Sequence, residues 1–177
     1  MKILLISGSP RKGNSEFILS KIFDSIKTPS KELVSLRKLK IKRCGGCLYC
    51  EENSVCHVQD DMQKIYEKMK EAEVFVLAVP NYYDNVPGLF KDFIDRLNPF
   101  YDTLSIAGKK VINIVTGGSS EEKSRRMIDG PLSFFEELQK LETLETYYFE
   151  ALKSDGVENN PIYLSKIDEI VAKIDSL

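Results

Sequence analysis

The run Glu73–Val79, EVFVLAV, constrains the fold more than any other segment of this chain. It is apolar on both faces over most of its length, as a parallel strand covered by helices on both sides must be. Two further runs, Lys2–Ser7 and Lys110–Thr116, have the same β-rich character, and Glu32–Leu36 and Thr143–Leu152 read as two more strands. Between them apolar residues return with the period of a helix. Ile18, Leu19, Ile22, Phe23 and Ile26 form one such stripe, and Met62, Ile65, Tyr66 and Met69 a second. Leu89, Phe90, Phe93, Ile94 and Leu97 form a third, and Ile167, Ile170, Val171 and Ile174 the last. Asp60 or Asp61 caps the second helix, Pro87 sits in the first turn of the third, and Asn160-Pro161 opens the last. Ser119–Leu141 reads as helix broken at Gly130-Pro131. Five strands alternating with five helical segments predict an α/β fold: an open, doubly wound sheet of five parallel strands in three layers, α/β/α.

Length suits one domain spanning residues 1–177, with a cysteine-rich insert loop at 44–60. A net charge of −2 removes the electrostatic case for nucleic acid, and no basic run or apolar span argues for a membrane. The N-terminal MKILLISGSPRKGNS has too short an apolar run for a secretory leader. The expected location is cytoplasmic, where clustered thiols serve as metal ligands rather than disulfides.

Doubly wound sheets take ligands at the carboxyl ends of strands where strand order reverses. That rule selects the loops after strands one, three and four. The first is Gly8-Ser9-Pro10-Arg11-Lys12-Gly13-Asn14-Ser15, running directly into a helix. A helix N-terminus with free amides attracts anions, and Ser9, Arg11, Lys12, Gly13, Asn14 and Ser15 supply donors or close backbone approach. An ATP-type loop needs lysine where Asn14 stands, and the dinucleotide pattern G-x-G-x-x-G is absent. A loop for one terminal phosphate without magnesium remains, as a mononucleotide such as FMN requires. The competing reading is a polar turn with nothing bound.

The loop after strand three, Pro80-Asn81-Tyr82-Tyr83-Asp84-Asn85-Val86-Pro87-Gly88, offers two tyrosines as a wall for a flat heterocycle. Asn81, Asn85 and free amides can pair with its polar edge. The alternative is that the tyrosines cover the core. After strand four, Thr116-Gly117-Gly118-Ser119 lets main chain approach a ligand closely.

All four cysteines, Cys44, Cys47, Cys50 and Cys56, fall within CGGCLYCEENSVC, spaced C-x2-C-x2-C-x5-C. Repeated C-x2-C spacings followed by a fourth cysteine suit an iron–sulfur cluster. Zinc, a redox disulfide pair and a metal-free loop are the alternatives. His57, the single histidine, reads as a surface residue, because four thiolates already complete a tetrahedral site.

ISGSPRKGNS, the cysteine motif running into QDDM, VPNYYDNVPGLFKDFIDR and VTGG occur in the order seen in flavodoxin-like NAD(P)H-dependent FMN reductases. The chain resembles that family over its first two-thirds, and the compact cysteine motif narrows the resemblance to its iron–sulfur flavoproteins. The resemblance implies a flavodoxin-like fold and FMN held by the three loops, with Pro80 and Val86 among the contacts. It also implies a [4Fe–4S] cluster on Cys44, Cys47, Cys50 and Cys56, and assembly as homodimers or homotetramers. NAD(P)H is a possible donor, and a ferredoxin-like protein or a small molecule the redox partner. The flavin carries the chemistry, so no side chain is required as a catalytic acid or base. Two other functions compete with this flavin–cluster oxidoreductase: a cluster-free FMN or quinone reductase, and a non-catalytic, zinc-braced α/β binding module.

Overall fold

The computed structural model describes residues 1–177, except for the side chains of residues 127–129. Five strands, β1 (Ile3–Ser7), β2 (Lys31–Ser35), β3 (Val74–Pro80), β4 (Lys110–Gly117) and β5 (Glu142–Glu150), form one sheet in the order β2-β1-β3-β4-β5. Every adjacent pair is parallel; Ile3 stands between Lys31 and Val74, and Val74 is in register with Lys110. This order is the flavodoxin-like one, reversing between β1 and β3.

Because side chains alternate along a strand, the two central strands feed two separate cores. Leu4, Ile6, Phe75, Leu77 and Val79 pack on one face against α3 (Met62–Glu71) and α4 (Gly88–Asp95). Ile3, Leu5, Val74, Val76 and Ala78 pack on the other against α1 (Asn14–Ser25) and α8 (Pro161–Asp175). Every residue of β1 and β3 is buried, which is why EVFVLAV carries no polar face.

Element ends differ from the sequence expectation in ways local chemistry explains. Leu36 leaves the second strand for a 3₁₀ turn, Leu36–Lys38, and is fully buried there. Pro87 lies one residue outside α4, as its N-cap, with ψ 149°. The one-turn helices α2 (Tyr49–Asn53) and α5 (Pro99–Thr103) were not expected, since five residues are too few to show a period. The expected break at Gly130-Pro131 is a π-helical turn, Ile128–Leu132, joining α6 (Glu121–Met127) to α7 (Ser133–Leu138). Proline lacks the amide that α-helical continuation needs.

Candidate functional site

The three loops selected by the strand-order rule meet at the β1/β3 switch point. Gly8 N–H donates to Ala78 O at 2.9 Å, tying the loop after β1 to β3. Asn81 N–H donates to Thr116 O at 2.8 Å, tying the loop after β3 to the end of β4. The hydroxyls of Ser15 and Thr116, both buried, lie 2.8 Å apart and close the triangle.

In the first loop, Ser9 Oγ donates to Arg11 O at 2.8 Å, shaping the turn that leaves Arg11 and Lys12 exposed. Helix α1 starts at Asn14 and no side chain caps it, so its first-turn amides are left for another acceptor. Glu16, in that turn, would repel an anion, but Arg37 holds both its oxygens at 2.8 and 3.0 Å. The Arg37 hydrogen bond keeps the Glu16 carboxyl below its usual range despite partial burial. Asn14, expected among the phosphate donors, is committed elsewhere: its amide donates to Lys153 O at 2.7 Å and Ala151 O at 3.3 Å, and its oxygen accepts from Val157 N–H. Main-chain amides with Arg11 and Lys12 remain, a donor set that fits a phosphate. Ser7 Oγ, at the end of β1, is buried without a hydrogen-bond partner.

The loop after β3 closes through paired main-chain bonds between Tyr82 and Asn85, at 2.9 and 3.1 Å. Tyr83 and Asp84 take φ +54° at its tip. Both tyrosine rings are exposed, Tyr83 completely, so they do not cover the core. Asn81 Nδ2 reaches Ser124 Oγ at 3.4 Å, and Asn85 Oδ1 accepts from Val86 N–H at 2.8 Å. Pro80 and Val86 are buried beneath the loop. The glycines after β4 serve packing: a Cβ on Gly118 would fall 2.7 Å from Leu152 Cδ1, and one on Gly117 3.2 Å from Asn81 Cβ. Their bareness lets loop close on loop.

The four thiols are free, Cys44 and Cys47 exposed, Cys50 and Cys56 partly buried. All four line one cavity of about 50 Å³ together with His57, Arg96 and Asn98. Asn98 Nδ2 lies 3.1 Å from Cys50 Sγ, and His57 Nδ1 3.7 Å from Cys47 Sγ. Among the described residues no three ligating side chains converge at coordination distance. The donor set itself, four soft sulfurs around one space, fits an iron–sulfur cluster or zinc.

Arg96 is the residue that sequence reading missed. It is 1% exposed and pairs with Asp60 at 2.7 Å, a carboxylate that is itself 3% exposed. Burial alone would raise the Asp60 carboxyl; hydrogen bonds from Arg96 and the amides of Lys42 and Met62 outweigh it and hold the group below its usual range. The signal was present: Arg96 falls between Phe93 and Leu97 on the apolar stripe, where a charge requires a partner.

The family model described as NADPH-dependent FMN reductase matches residues 1–129. An iron-sulfur flavoprotein of Archaeoglobus fulgidus is 41% identical over 98 residues, 54% of this chain and 48% of that one, so the chain spans about half the length of this relative. An iron-sulfur flavoprotein of Methanocaldococcus jannaschii is 30% identical over 138 residues, covering 76% of this chain and 72% of the relative. Among solved structures, an FMN-dependent NADH-azoreductase from Bacillus anthracis in complex with FMN superposes with TM-score 0.67 at 16% identity, over 99% of this chain and 100% of that one. The Trp repressor binding protein of Bacillus subtilis gives 0.68 at 17% identity, over 96% of each chain. These last two likenesses concern the fold. The matched model spans all three loops and the cysteine segment, and the chain belongs to the NADPH-dependent FMN reductase family.

Proposed function

We propose that this chain is a single-domain FMN-dependent oxidoreductase whose four cysteines hold a [4Fe–4S] cluster. One observation carries the flavin reading: three loops joined by main-chain and hydroxyl contacts surround an uncapped helix N-terminus at the switch point of the sheet. The first-turn amides of α1, Arg11 and Lys12 would hold the phosphate. Tyr82 and Tyr83 would flank the ring, with Asn81 and the Thr116–Gly118 main chain at its edge. FMN supplies hydride acceptance and single-electron transfer. The protein binds it, orients it and sets its surroundings. Ser9, Gly13 and Ser15 shape the loop, and Asn14 anchors it from behind.

The cluster reading is supported by the cavity that all four cysteines line and by the relatives named iron-sulfur flavoproteins. NAD(P)H is the proposed donor, with a ferredoxin-like protein or a small molecule as partner. Helix α4 runs from the tyrosine loop toward the cysteine cavity, and its eight residues span roughly 12 Å at about 1.5 Å each. A homodimer or homotetramer in which one chain's cysteine segment faces another's flavin would bring the two centres together.

Anaerobic purification with flavin, iron, sulfide and zinc assays tests the assignment. FMN with iron and sulfide is expected; zinc without flavin would sink it, and flavin alone under strict anaerobiosis would leave a cluster-free reductase. Arg11→Ala should weaken FMN about 10-fold, the scale of one charge-assisted contact, and leave riboflavin unchanged. Equal losses for both ligands would remove Arg11 from the phosphate site.

A further inference from the structure

The cysteine segment is held at both ends by one side chain. Arg96 donates from one terminal nitrogen to Lys42 O at 2.8 Å, two residues before Cys44. It donates from the other to Val58 O at 3.1 Å, two residues after Cys56. Asp60, which accepts from the Lys42 amide at 2.9 Å and from both terminal guanidinium nitrogens at 2.7 and 3.3 Å, locks the same two stretches of chain together. Tyr66 Oη donates to Arg96 O at 2.6 Å and fixes the main chain from which the side chain extends. A planar fork can make these bonds together because its donors are rigidly spaced; a lysine ammonium cannot.

This clasp uses both terminal nitrogens and leaves Nε–H over. Nε is buried, has no hydrogen-bond partner, and belongs to a residue lining the cavity shared by the four cysteines. A buried donor without an acceptor is unfavourable unless a ligand supplies one. All four cysteine sulfurs, soft acceptors, belong to residues lining that same cavity. N–H donors to cluster sulfur are among the groups that set a cluster's potential.

Resting on the cluster reading above, we infer that Arg96 is the positioning residue of the cysteine centre. It closes the 44–56 segment into one ligand set and donates its Nε–H to a sulfur there. The test uses the full chain, FMN-loaded, carrying ¹⁵N-arginine, with and without anaerobically reconstituted iron and sulfide. Reconstitution should move and broaden the buried Arg96 Nε–H resonance and lower its exchange with water. A resonance unchanged in position, width and exchange overturns the proposal, and this readout needs no variant to fold.

Arg96→Lys keeps the charge and loses the fork. With FMN content intact, it should bind several-fold less iron and sulfide, or hold a cluster of lower reduction potential. Native cluster content at native potential in this variant also overturns the proposal. A wild-type chain that takes up no iron and sulfide defeats the cluster reading first, an outcome distinct from either of these.

Discussion

Asn14 shows how a residue placed at a candidate site can serve it indirectly. Its amide and carbonyl bind three main-chain groups of the segment between β5 and α8, more than 130 positions away. Asn14→Ala removes these bonds, leaves the buried Val157 N–H unpaired and should cost about 1–3 kcal/mol in urea unfolding of the flavin-free protein. A loss of FMN affinity with no loss of stability would return Asn14 to the ligand. Glu136 poses a different problem. It is buried on α7, accepting from Asn113 at 2.6 Å and from Thr143. Burial pushes its carboxyl above the ordinary 4.5, and the bonds from Thr143 and Asn113 only partly offset this. Such a group favours the fold fully while protonated in both states, and that contribution is lost as pH rises from 4.5 through the raised folded value. Glu136→Gln should therefore gain on the native chain across that window, each unit of elevation being worth about 1.4 kcal/mol. Urea unfolding between about pH 4 and pH 8 reads the difference; parallel curves would show that Glu136 ionises alike in both states.

The turn after β3 carries local strain. Tyr83 and Asp84 both hold φ +54°, where a Cβ crowds the following carbonyl, and Tyr83 has no packing in return because its ring is fully exposed. Left-handed backbone costs a non-glycine residue about 1–2 kcal/mol, and glycine returns about 0.5–1 of that through its looser unfolded chain. Tyr83→Gly should then stabilise the protein by about 0.5–1 kcal/mol and weaken FMN. Both are measurable on one sample by thermal unfolding and flavin titration. A gain in stability with native FMN affinity would leave Tyr83 without a role at the ring.

The loops proposed for flavin and the cysteine segment belong to different ends of α4, joined through Pro87 at one end and Arg96 at the other. Damage at one end should spare the other. Cys47→Ser should abolish cluster absorbance and leave FMN stoichiometric, checked by visible spectra and flavin release. Loss of both cofactors would mean that the cysteine segment holds the flavin site in shape. No helix among the described residues is long and apolar enough to cross a membrane.

Much of this fold is legible in the order of the amino acids. Unbroken apolar runs such as EVFVLAV require cover on both faces, and periodic stripes such as Met62, Ile65, Tyr66 and Met69 face inward as written. Local pattern carries such information because burial on a strand or helix repeats with the backbone period. The strand-order rule then named three loops that the fold joins, without their contacts. The Ser15–Thr116 bond, the diversion of Asn14 and the packing of Gly118 on Leu152 join residues far apart in the chain, and no local period encodes such pairs. The same holds for the cysteines. Their spacing put four thiols in one short segment, but the cation that holds both its ends sits at the C-cap of α4, 36 positions beyond Asp60, because two buried charges must find each other in three dimensions.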